Sequence, residues 1–142
     1  MADDGGSDFA RSMSIATSGL RAQAGRMRVI SENIANADST AASAGGDPYR
    51  RKVPTFSSTL DRTLDAKVVT LGKIRTDTSA FRVKHEPGNP SADAAGNVKY
   101  PNVNSVVESA DMRETQRSYE ANLNIISATR RMIQRTLDIL KT

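Results

Sequence analysis

The sequence predicts a mainly α-helical chain with a small β-rich insert, its long N- and C-terminal helices paired as an antiparallel coiled-coil-like hairpin. Two stretches of apolar residues at alternating four- and three-residue spacing, one near each end, carry the helices. A middle punctuated by proline and glycine, with short β-branched runs, carries the insert. Only 37% of residues are hydrophobic and 4% aromatic, with no Trp, so much of the apolar surface is expected to be buried against neighbouring molecules. The expected division is a disordered stretch over 1–7, an assembly domain of paired helices over 8–37 with 105–142, and a loop with a β-rich insert over 38–104.

The first helix is expected from Asp8 to Ala37. Its apolar positions are Phe9, Met13, Ala16, Leu20, Met27, Ile30, Ile34 and Ala37, with Gln23 filling the one polar slot. That is a heptad seam held over four repeats. Ser7 or Asp8 can cap its start, and Asn36-Ala-Asp-Ser-Thr40 followed by Gly45-Gly-Asp-Pro48 ends it.

The second helix is expected from about Ser105 to Leu140. Its seam reads Met112, Gln116, Tyr119, Leu123, Ile126, Arg130, Ile133, Leu137 and Leu140. Ile125, Met132 and Ile139 recur every seven residues on an adjacent face. One seam satisfies one partner helix, so the second stripe points to packing among several. Each helix would span about 45–50 Å.

All five prolines lie in residues 38–104. Strands are expected at Lys67–Ile74, Ala80–His85 and Asn97–Tyr100, and Asp61–Ala66 reads as a possible helical turn.

The chemistry-bearing residues are few. The chain has no cysteine, which excludes disulfides and thiolate metal sites, and its single histidine, His85, is expected on a surface strand. No paired carboxylates, phosphate loop, metal set or cofactor motif stands out, so no catalytic, cofactor or metal residue is assigned and an enzyme is not expected. The net charge is +4, and the one dense basic cluster is Arg50-Arg-Lys52 beside Tyr49. It reads as a solvated or partner-facing loop in preference to a nucleic-acid site. No stretch approaches a membrane span, and Met1 to Ser14 builds no apolar run of the kind a cleaved secretory signal needs.

Two polar features qualify the seams. Asn33 and Asn36 fall on one face in the last turn of the first helix, where they can bond its orphan carbonyls or take the left-handed conformation that ends it. They are further read as fixing the exit of the chain and touching a neighbouring subunit. Gln23, Gln116 and Arg130 interrupt the seams, and polar seam residues can set register and partner choice.

The run Ser18-Gly-Leu-Arg-Ala-Gln23, followed by Val29-Ile-Ser-Glu-Asn33-Ile34-Ala35-Asn36, resembles the N-terminal signature of the flagellar rod and hook family. Arg117-Ser-Tyr-Glu-Ala-Asn122 and the tail to Leu140 resemble that family's C-terminal helix. Pro48, Tyr49, Arg50, Arg51 and Lys52, with Glu86–Pro90 and Gly96–Val103, are similar to its short proximal-rod members.

The resemblance implies a structural subunit of the basal-body proximal rod, needed for motility. Its terminal helices would form an inner tube and its insert an outer layer. Implied interface residues are Met13, Leu20, Met27, Ile30 and Ile34 on the first helix, and Tyr119, Leu123, Ile126, Ile133, Leu137 and Leu140 on the second. Implied partners are copies of the same chain, other rod subunits, a membrane-ring adaptor, distal-rod proteins and the flagellar type III export apparatus. No nucleic acid and no membrane insertion are expected. Export without a cleaved signal would place the chain in the periplasm-spanning rod.

Overall fold

A computed structural model describes residues 4–141. The element order is α1 (Asp4–Ala35), β1 (Lys52–Val53), β2 (Phe56–Asp61), β3 (Ala66–Leu71), β4 (Arg75–Thr76), β5 (Arg82–His85), β6 (Asn97–Tyr100) and α2 (Ser105–Leu140). Two long terminal helices thus flank a small β-rich insert, as the sequence predicts. The described chain divides into two compact units: residues 4–26, 55–73 and 114–141 belong to one, residues 27–54 and 74–113 to the other.

In the first unit, α1 carries the β2–β3 hairpin and contacts α2. The hairpin pairs Phe56 with Leu71 through Asp61 with Ala66, antiparallel. Its turn lies in the stretch read as a possible helical turn. Asp61 Oδ1 accepts from the backbone N–H of Thr63 (2.9 Å) and Leu64 (3.4 Å), and Asp65 takes a positive φ of 46°. An Asx turn with a left-handed Asp closes a hairpin and leaves no helix to propagate. The hairpin is tied to α1 by Arg11 Nε donating to Leu64 O (2.8 Å) and by Val69 N–H donating to Ser18 Oγ (3.2 Å). Gly25 permits that approach, because a Cβ there would meet the Leu71 side chain at 2.7 Å.

In the second unit, β1 pairs with β4 and β5 with β6, both antiparallel. Val98 and Val103 on the insert side and Val29 and Ile30 on α1 form its apolar core, each at most 2% exposed. Gly96, at φ 79°, makes the turn before β6, where a Cβ would come within 2.9 Å of the His85 ring. The predicted strand at Asn97–Tyr100 is β6, and those read at Lys67–Ile74 and Ala80–His85 are trimmed to β3 and β5. The sequence reading missed β2, whose Ser-Ser-Thr centre lacks apolar alternation, and the two-residue β1 and β4, too short to leave a pattern.

Helix α1 begins at Asp4, so Ser7 and Asp8 lie inside it and cap nothing; residues 1–3 lie outside the described residues. Helix α2 begins where predicted. Asn104 caps it, its Oδ1 accepting from Val106 N–H (3.0 Å) and Val107 N–H (3.4 Å).

The packed face of α2 departs from the predicted seam by one residue on alternate turns. Met112, Tyr119, Ile126 and Ile133 are partly buried as expected, but the companion line is Glu108, Thr115, Asn122 and Thr129. Of these, Glu108, Thr115 and Thr129 are 1%, 0% and 6% exposed. Gln116, Leu123, Arg130 and Leu137 face outward. The reason is space: at Gly19 of α1 a Cβ would lie 2.9 Å from Asn122 Nδ2, so the backbones approach too closely for a leucine-sized line. Apolar periodicity selects the large side chains; close packing here selects the small ones.

Candidate functional site

The end of α1 is not a simple cap. Asn36 does cap: its Nδ2 donates to Glu32 O (2.8 Å) and its backbone N–H to the same oxygen (3.1 Å). It does so without a left-handed backbone, since Asp65 holds the only positive φ among described non-glycine residues. Asn33 does something different. It is 1% exposed and uses its amide as a stretch of backbone would. Its Oδ1 accepts from Lys52 N–H (2.9 Å) and Tyr49 OH (2.8 Å), and its Nδ2 donates to Lys52 O (2.8 Å) and Glu108 Oε2 (3.0 Å). All the hydrogen-bonding capacity of the amide is met inside its own chain. That corrects the expectation that both asparagines touch a neighbouring subunit: only Asn36 retains part of its surface.

The same cluster gathers the basic run. Arg51 Nε donates to Glu108 Oε1 at 2.5 Å, with Asp77 and Asp111 at 3.7 and 3.9 Å from the guanidinium. Partial burial works against its charge, yet the Glu108 hydrogen bond and the three carboxylates push Arg51 above its ordinary pKa. Backbone and side-chain donation from Ser79 holds the Asp77 carboxyl below the usual carboxylate range. Asn102 adds backbone order, accepting from Arg51 N–H (2.8 Å) and donating to Asp77 O (3.1 Å). Lys52 Nζ pairs with Glu32, and Arg50 stacks 4.0 Å from the centre of the Phe81 ring. Burial, then the charges of Glu32 and Glu108, push the Tyr49 phenol up to about 12.

Two segments singled out in the sequence, Asn33–Asn36 and Pro48–Lys52, therefore meet through Asn33, Tyr49 and Lys52. Glu108 and Asn102, which complete the cluster, were not legible. An acid in the first turn of a helix reads as a dipole partner, and its link to Arg51 closes 57 residues of chain. His85 lies exposed on β5, its Nδ1 3.3 Å from Asn97 Oδ1. Among the described residues no group of three or more His, Cys, Asp or Glu could hold a metal ion.

A second feature lies on residues 114–140 of α2. Leu123, Ile125, Met132, Leu137, Ile139 and Leu140 are exposed by 42, 48, 56, 46, 74 and 77%. Ile125, Met132 and Ile139 form the predicted second stripe along one flank of α2, whereas Leu123 and Leu137 lie across the helix from it, since two residues advance an α-helix by about 200°. The other interface candidates lie differently: Ile30 is 1% exposed, and Met13, Leu20, Met27, Ile34, Tyr119, Ile126 and Ile133 are partly buried. Gln116 and Arg130 are exposed, and the Oε1 of Gln23 is buried with no hydrogen-bond partner. None of the three has the buried, satisfied contacts that a register role within the chain requires. No described helix is long and apolar enough to cross a membrane.

A fully satisfied polar cluster and an uncovered apolar helix face suit an assembling subunit. Comparison with known proteins agrees. Residues 13–41 match the family model of the flagella basal body rod protein, and residues 94–139 that of the flagellar basal body rod FlgEFG protein C-terminal. The chain is 51% identical to the flagellar basal-body rod protein FlgC of Agrobacterium fabrum over 127 residues, covering 89% of this chain and 91% of the relative. The FlgC of Bacillus subtilis is 37% identical, covering 92% and 97%, and that of Aquifex aeolicus 36%, covering 94% and 98%. With identity of this order across nearly the whole length, the chain belongs to the FlgC family of flagellar basal-body rod proteins, structural rod components and not enzymes.

Proposed function

We propose that this rod subunit polymerises through the outward face of α2, forming a helical tube with copies of itself and neighbouring rod subunits in the proximal part of the shaft. The observation that carries this is the stripe Ile125, Met132 and Ile139, which repeats every seven residues along one flank of α2 and is exposed throughout. An exposed apolar stripe along one helix flank marks an interface. A head-to-tail contact that does not close on itself builds a tube, and many such faces in series transmit torque by summed burial. In this reading the paired helices form the inner layer and residues 38–104 the outer one. A membrane-ring adaptor and distal-rod proteins bound the tube at its ends, and the subunit leaves the cytoplasm through the flagellar export apparatus with its N-terminus uncleaved.

The basic run offers no rival. Arg51 and Lys52 are committed to carboxylates and Arg50 to the Phe81 ring, which leaves few cations for phosphates.

The test is a chain carrying Ile125→Asp, Met132→Asp and Ile139→Asp, supplied to cells lacking their own copy. The expected result is a folded monomer that builds no rod and supports no motility. Normal rods and swimming would overturn the reading.

A further inference from the structure

We infer that Glu108 is the register key of the helix pair: its buried carboxylate, more than any other residue of α2, determines which heptad of α2 lies against α1. The buried line of α2 repeats every seven residues as Glu108, Thr115, Asn122 and Thr129, and its companion line as Met112, Tyr119, Ile126 and Ile133. Sliding α2 by one heptad, about 10 Å along its axis, exchanges Thr for Asn and one apolar side chain for another. Such seams specify register weakly, and a single buried polar residue is the device that resolves the degeneracy.

Glu108 is the only charged member of either line. Its two oxygens are taken by Asn33 Nδ2 (3.0 Å) and Arg51 Nε (2.5 Å), groups that do not belong to α2 and cannot slide with it. In the slipped pairing Thr115 would stand in its place. Thr115 offers a single hydroxyl where two acceptors are needed, and the partly buried Arg51 would lose its closest carboxylate. A slip would require the first two turns of α2, capped by Asn104, to unwind into the connection from β6. Besides that cap and the longer Asp111–Arg51 pair, what opposes it is the chemistry at position 108. The polar interruptions expected to set register, Gln116 and Arg130, point away from the packed face.

The chain has no cysteine of its own, so introduced pairs report register cleanly. Gly19→Cys with Asn122→Cys should cross-link in the native pairing, since a Cβ at Gly19 falls 2.9 Å from the Asn122 side chain. Gly19→Cys with Thr129→Cys should cross-link only after a one-heptad slip. On the isolated full-length chain, Glu108→Thr leaves a threonine at the key position in either register and is expected to add the 19–129 product to the 19–122 product, and Glu108→Gln to add less of it. Should Glu108→Thr unfold, the decisive variant is Glu108→Thr with Thr115→Glu, which carries the key one heptad along. It is expected to recover helix content and cross-link through 19–129. Retention of the 19–122 product alone in either variant, or no recovery of helix in the second, would overturn the assignment. The readout is taken on the monomer, so it stands or falls independently of rod assembly.

Discussion

The two units of this chain bury different things. Residues 27–54 and 74–113 enclose a polar cluster whose central members, Asn33 and Glu108, are each 1% exposed and hydrogen-bonded on every side. Residues 4–26, 55–73 and 114–141 have no comparable cluster, and they leave Phe56, Leu60 and the outward row of α2 in solvent. The polar cluster of the first needs no partner, because satisfied buried polar groups specify one arrangement, although that unit still leaves Ile74, Val83, Val106 and Val107 exposed. The second is incomplete, because its apolar surface gains only when something covers it. A rod subunit gains from both: a polar cluster that fixes local shape, and apolar surface that neighbours can cover.

The contrast can be broken most forcefully at Glu108. Glu108→Ala strands Arg51 and the Asn33 amide, and is expected to cost about 3–5 kcal/mol, the range for removing one partner of a buried charge pair. Chemical denaturation of the isolated chain measures it, and a loss below 1 kcal/mol would show that the cluster does not anchor its unit. Next in size is Ile126→Asp, which places a charge on the partly buried line facing α1. We expect a loss of about 2–3 kcal/mol from burying an unpaired charge, read by the same titration.

Tyr49→Phe should cost about 1 kcal/mol, the net value of its hydrogen bond to Asn33 Oδ1. Its pH signature is separate. The phenol is held neutral in the fold up to about 12, while an unfolded tyrosine ionises near pH 10. The raised value stabilises the fold fully below pH 10, and that contribution disappears as pH rises through 12. With Tyr100→Phe and Tyr119→Phe, Tyr49 is the only tyrosine left, and its phenolate absorbance should rise near pH 12. A midpoint at 10 would show the phenol to be in water.

The smallest effect on the monomer sharpens the comparison most. Met132→Ser and Ile139→Ser lie on the outward face, so each should change stability by no more than about 0.5 kcal/mol. Self-association at high concentration should nevertheless weaken, by light scattering. If either substitution unfolds the monomer, the face is covered within the chain.

Much of this was legible because it is periodic. The 3.5-residue repeats gave both helices, and Asn104 stands where an N-cap is needed, one residue before α2. The turn residues Pro87-Gly-Asn-Pro90 and Ala95-Gly96 delimited β5 and β6. Helix ends were less legible. Asp4-Gly-Gly reads as a breaker, yet α1 runs through it. Of the cluster, Asn33 and Pro48–Lys52 stood out as unusual local chemistry, but what they do was invisible, because its other half lies 50 to 75 residues away.

The sequence by itself determined that two long amphipathic helices would bracket a β-rich insert, that no cysteine, histidine pair or paired carboxylate would carry chemistry, and that α2 would have apolar surface to spare. Those follow from spacing and residue type, which act locally. Only the tertiary structure decided which face of α2 turns inward. Apolar content favoured Leu123 and Leu137, whereas the approach of Gly19 to Asn122 admits only the small line of Thr115, Asn122 and Thr129. Hydrophobicity counts what a side chain gains by leaving water; packing counts whether there is room for it, and here room prevailed.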